Sequence, residues 1–252
     1  MKPITLEICA GDIDSVKAAA AGGAERVELC SALGEGGVTP SPGFISAARN
    51  VHGIRLHVLI RPRGGDFIYT PEEVECMCYD IAICRRLGVD GVVVGALTPE
   101  GNIDMEVCKR LVDEAGDMSV TFHRAFDMAK NPDEALENII SLGCDRLLTS
   151  GMASTALEGI STLLRVRDRA NDRIRVMAGA GVTPSTAPLI LQAGAADDLH
   201  ASARIRVASS ARFCRESVKM GTPDADEFSR LTTSPSIVCD LKKIITKYNT
   251  IS

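Results

Sequence analysis

No run of lysine and arginine marks this chain, which sets 28 basic against 33 acidic residues for a formal net charge of −5. Nucleic acid and anionic membrane surfaces are recognised through a basic stripe, so neither is expected as a partner. No stretch approaches eighteen consecutive apolar residues, and the opening MKPITLE reaches Glu7 before any apolar segment has formed. Neither a membrane span nor a secretory leader is therefore expected. There is no Asn-x-Ser/Thr sequon and no Pro/Ser-rich linker. Nine cysteines are scattered through a chain of 252 residues, too long to need disulfide staples. Reduced thiols in a cytoplasmic protein are the expectation.

Short β-rich runs recur along the chain: ITLEIC (4–9), RVELC (26–30), IRLHVLI (54–60), GVVVGAL (91–97), SVTFHRA (119–125), DRLLTSG (145–151), IRVMAG (174–179) and DLHASA (197–202). Amphipathic stretches separate them. Three begin on a residue suited to N-capping, Asp12, Thr70 and Asn131, and each closes on a glycine. Strands joined by helical crossovers form parallel sheets, because a parallel neighbour needs a long return path. Eight of them in one domain imply an α/β fold of the (β/α)8 TIM-barrel type. One domain spanning 1–252 is expected, with the barrel core over about 3–203, an irregular segment over 204–235 and a closing helix over 236–248.

Alternate residues of a strand face opposite ways, and in this fold one face meets the helices while the other fills the barrel. Assigning the apolar sets outward sends Glu7, Cys9, Glu28 and Cys30 inward, and with them His57, Leu59, Arg61, Thr121, His123, His200 and Ser202. Barrel interiors are usually packed with Val, Ile and Leu. Carboxylates, imidazoles and a guanidinium converging there form either a self-satisfied polar network or a ligand pocket, and their place near the strand C-termini favours the pocket.

The loops carry candidates of their own. RPRGGDF places Arg61 and Arg63 around a proline and a double glycine, suited to an anionic group unless nearby acids such as Glu7, Glu28 or Asp66 pair with them. AGAGVTPS places Gly179 and Gly181 before a helix expected to begin near Thr183, where free amides would face phosphate or carboxylate. His123 is the candidate general acid/base, because imidazole titrates near neutrality. Glu7, Glu28 and Arg61 complete a catalytic set, and Arg63, Gly179, Gly181 and Ser202 an anion-binding one. Cys76, Cys78 and Cys84 share a helix at spacings that cannot meet one ion, and Cys108, Cys144, Cys214 and Cys239 read as small buried hydrophobes. Cys9 and Cys30 end neighbouring strands with the same inward parity; the pair suits Cu(I) or is simply two packed thiols, and a closed zinc site would want four ligands.

The strings LEIC, RVELC, EGGVTPS, RPRGGDF, NIDM, TFHRAFD, LTSG, AGAGV and H-x-SA resemble the CutC family, with the match running from about 6 to 203. The resemblance implies a barrel, a cytoplasmic setting, self-association as a homodimer or higher homo-oligomer, and copper homeostasis through Cu(I) bound by Cys9 and Cys30. The alternative from the residues alone is a lyase or isomerase acting on a small phosphorylated or carboxylated metabolite.

Overall fold

A computed structural model describes residues 3–215, 217, 218, 220 and 226–251. Eight parallel strands, β1 (Thr5–Ala10), β2 (Arg26–Leu29), β3 (Arg55–Leu59), β4 (Gly91–Val94), β5 (Ser119–Phe122), β6 (Arg146–Thr149), β7 (Arg175–Ala178) and β8 (Asp198–Ala201), hydrogen-bond in sequence order and close as β1 pairs with β8. Helices α1 (Ile13–Ala21), α2 (Pro42–Arg49), α3 (Pro71–Arg86), α4 (Met105–Ala115), α5 (Pro132–Ser141), α6 (Ile160–Ala170) and α7 (Ala187–Gln192) follow the first seven strands. The chain is a TIM-type barrel.

The three expected caps form. Asp12 accepts from Ser15 N at 2.6 Å, Asn131 accepts from Asp133 N and Glu134 N, and Thr70 makes a full capping box with Glu73. Strand parity also holds. Leu6, Ile8, Val27, Leu29, Leu56 and Val58 are buried in the main core against helix residues such as Val16, Ile45, Met77 and Ile81. Each such side chain contributes about 1.5–3 kcal/mol when fully removed from water. Cys30, Leu59 and Val93 instead make a small separate cluster inside the barrel, with Cys9 and Leu33 against it.

Three expectations need correction. The segment expected to be irregular contains an antiparallel pair, β9 (Arg204–Ala208) and β10 (Ser229–Thr233). Its side chains are mostly exposed, so no apolar alternation announces it. The ribbon is pinned to α1 from outside: Arg230 pairs with Asp12 and Asp14, and Thr233 N donates to Ser15 Oγ. The closing helix α8 (Pro235–Ile251) starts one residue earlier than expected and runs past Tyr248, packing on α1, β1 and α7. Among the cysteines, Cys108 and Cys144 are buried as expected, whereas Cys214 is exposed and Cys239 half-buried.

Candidate functional site

The register of β1 on β2 pairs Glu7 with Arg26 and Cys9 with Glu28, and β8 sets His200 beside Glu7. Inward parity therefore stacks two polar layers. In the lower one, fully buried Glu7 accepts from Arg26 Nε, and its other oxygen lies 2.8 Å from His200 Nδ1. Asp198 gathers Arg175 at 2.7 Å, Arg146 at 3.5 Å and Arg26 at 3.9 Å. Burial raises the Glu7 pKa, but the Arg26 charge and the His200 contact outweigh it and hold the carboxyl well below its ordinary range. His57, opposite Glu28 in the register, is pushed down to about 3, chiefly by burial.

Above this floor lie the thiols. Cys9 Sγ and Cys30 Sγ are 3.8 Å apart, and Cys30 Sγ is 3.5 Å from Glu28 Oε2. Cys9, Glu28 and Cys30 each bring one ligand atom into a group lying within 4.8 Å of one another, a set that could hold a metal ion. His200 Nε2 stands 3.7 Å from Glu28. The hydrogen bond from Cys30 brings the Cys9 thiol down to about 5 against the opposing effect of burial, with help from His200. The same contact, with burial, drives Cys30 well above its ordinary value. One proton is thus retained between two sulfurs. Burial raises Glu28 to about 8.

These groups open into a cavity of about 720 Å³ at the C-terminal ends of the strands, lined by Cys9, Glu28, Arg61, His123, Gly181, Ser202 and others. That is the end where barrels of this kind hold ligands. A second cavity, about 480 Å³, lies at the opposite end among Pro3, Ile4, Arg175 and Asn249. There Arg175 is bound to Asp198 and Asn249 to Ile4.

The expected residues do not all meet. Glu7, Cys9, Glu28 and Cys30 converge, and Arg61, His123, Gly181 and Ser202 line the same cavity. Arg63 does not: it is held by Glu73 at 2.6 Å and Asp66 at 3.0 Å, outside the cavity lining. Gly179 lies within the barrel wall, its N–H donating to Thr149 O and a Cβ there meeting Leu148 at 2.6 Å. The helix after it starts at Ala187 rather than near Thr183, and the amides of Thr183 and Thr186 are taken by each other's hydroxyls. His123 is not poised for acid/base work near neutrality, because burial and the nearby Arg61 charge push it down to about 3. Several members of the floor went unassigned in the sequence, Asp198 with its partners Arg146 and Arg175 among them. His200 had inward parity but no role, since its partners become visible only when β8 closes on β1; Arg26 shares the parity of Glu28 and could have been found by it.

A (β/α)8 barrel with a paired-thiol, metal-competent mouth is the class that fold and site define. The chain belongs to the CutC family, whose model matches residues 4–205. It is 50% identical over 242 residues to the CutC family protein of Chromobacterium violaceum, covering 96% of this chain and 98% of that one. With the Bacteroides fragilis relative it shares 48% over 248 residues, covering 98% and 99%. The solved structure of a CutC protein from Streptococcus agalactiae, named for copper homeostasis, superposes with a TM-score of 0.76 at 33% identity. That match covers 79% of this chain and 98% of the other.

Proposed function

We propose that this protein serves copper homeostasis by binding Cu(I) as cargo at the barrel mouth, with Cys9 and Cys30 as ligands and Glu28 beside them. The observation that carries this reading is the 3.8 Å separation of two inward sulfurs, Cys9 lining an open cavity and Cys30 buried beside it. With metal–thiolate bonds near 2.3 Å, the zinc value, two sulfurs on one ion are about 3.8 Å apart at a tetrahedral angle and about 4.6 Å apart in a line. The pair as it stands suits a bent arrangement with a third ligand, and an opening of about 0.8 Å would give the linear one that Cu(I) tolerates. Soft sulfur favours Cu(I), and a Cys9 thiol titrating at about 5 is already the thiolate at neutral pH. Reduced thiols also support a cytoplasmic setting, and self-association rests on the family resemblance.

The test is an anaerobic Cu(I) competition titration against a chelator of known affinity, with proton release followed in weak buffer. The native protein takes up one equivalent and releases at least one proton per ion at pH 7, the one retained on Cys30, with a second where Glu28, raised to about 8, becomes the third ligand. Cys9→Ser combined with Cys30→Ser abolishes the uptake; affinity unchanged in that variant would show the assignment to be wrong.

A further inference from the structure

His123 and Arg61 wall the mouth with hydrogen-bonding capacity that the protein leaves unused. His123 is 5% exposed and its ring is fixed from several sides. Ala125 N–H donates to Nδ1 at 3.2 Å, the Phe67 ring lies 5.0 Å away between centroids, and a Cβ on Gly95 would fall 2.6 Å from the imidazole. Because Nδ1 accepts, the neutral ring carries its proton on Nε2, and that buried atom has no partner. Burial and Arg61 push the ring down to about 3, so it stays a neutral donor at physiological pH.

Arg61 is also 5% exposed. Its Nη1 donates to the carbonyls of Glu35 and Gly37, its Nη2 to that of Gly65, and its guanidinium lies over Phe67. Nε is buried without a partner; among the described residues no carboxylate touches Arg61, the Asp66 charge acting on it from further off and the Tyr69 hydroxyl lying close to its guanidinium. A buried guanidinium with no counter-charge in contact is costly, and so is each buried donor without an acceptor. Two such donors on one cavity wall call for an acceptor from outside the chain.

We propose that the cavity binds a small monocarboxylate, its carboxylate accepting from His123 Nε2–H and Arg61 Nε–H. One positive charge matches one carboxylate, and two N–H donors match its two oxygens. Phosphate fits less well, because the Thr183 and Thr186 amides at the turn before α7 are spent on each other's hydroxyls. A cavity of about 720 Å³ is ample for a metabolite of this class. This reading goes beyond copper binding and does not depend on it: copper is read at the thiols, the carboxylate at the imidazole, and each assignment can fail alone.

The experiment uses the whole reduced, metal-free protein labelled with ¹⁵N-histidine and titrated with pyruvate and, separately, with inorganic phosphate. Pyruvate saturably shifts one Nε2–H resonance, assigned by its loss in His123→Phe, and in that variant pyruvate affinity falls roughly tenfold or more. Should His123→Phe not fold, the shift in the unsubstituted protein decides. A histidine spectrum unmoved by pyruvate overturns the proposal, and so does phosphate binding as tightly as pyruvate.

Discussion

Replacing Arg26 by methionine removes one partner of the buried pair under the candidate site and leaves the other without its counter-charge. Arg26 and Glu7 have side chains 1% and 0% exposed. Methionine keeps most of the packing volume, so the cost comes from Glu7, whose carboxylate would retain only His200. Breaking such a pair costs about 3–5 kcal/mol, a large share of the roughly 5–15 kcal/mol that holds a domain together. The cost also depends on pH. In the unsubstituted protein Glu7 titrates below the ordinary 4.5, so its contribution is fully present above that pH and is lost as pH falls through the folded value. In Arg26→Met, burial is opposed chiefly by His200, and the expected outcome is a folded carboxyl that titrates above the unfolded one and so holds a proton the unfolded chain gives up. Stability of the variant therefore falls as pH rises, by about 1.4 kcal/mol per unit until the new folded value is reached. Urea unfolding at pH 5 and pH 7 measures both effects, with the gap to the parent widening at pH 7. Adding Glu7→Gln removes the stranded charge and recovers at least about 2 kcal/mol. A loss below about 1 kcal/mol with no dependence on pH would refute the argument that Arg26 is what makes a charged Glu7 tolerable.

Acid should also weaken the fold through His57 and His123, both held down to about 3 from an ordinary 6.5. Between those values the unfolded chain binds protons that the folded one refuses, so stability drops as pH falls; His57→Gln should flatten the pH dependence of the unfolding free energy, measured in urea between pH 6 and 4, by about 1.4 kcal/mol per unit, and an unchanged slope counts against this. At the surface, Thr70→Ala removes the hydroxyl that accepts from Glu73 N at 3.3 Å and should cost about 1 kcal/mol in thermal unfolding, with Thr70→Ser restoring it; no difference between Ala and Ser would contradict the cap.

Much of the barrel was legible because its signals are local. Period-2 alternation in LEIC and RVELC sorted side chains between the helix layer and the interior, and a single side-chain oxygen at Asp12, Thr70 and Asn131 announced three helices. What escaped depends on partners distant in the chain. Parity put Cys9 and Cys30 on the same side, but only the register shows Cys9 level with Glu28 and Cys30 beyond it. Arg63 looked like an anion ligand because Glu73, which holds it, lies in the next helix. His123 has the ordinary titration of an imidazole in any sequence; its suppression comes from burial and from Arg61 two strands away. The β9–β10 ribbon offers exposed residues to solvent, and its pairing joins segments some twenty residues apart.

The seam where β8 meets β1 bears on how the molecule is made. Thr5 is bonded to Asp198 across 193 positions, and the Asn249 side chain brackets both the amide and the carbonyl of Ile4 across 245. During synthesis the first strand emerges long before either partner exists, with one flank unpaired. Neighbouring βα units can form early from near contacts, but closure is the last and least local event, a high-contact-order step. Until it occurs, Glu7 has Arg26 but neither His200 nor a sealed wall, so the candidate site is completed only as the ring shuts.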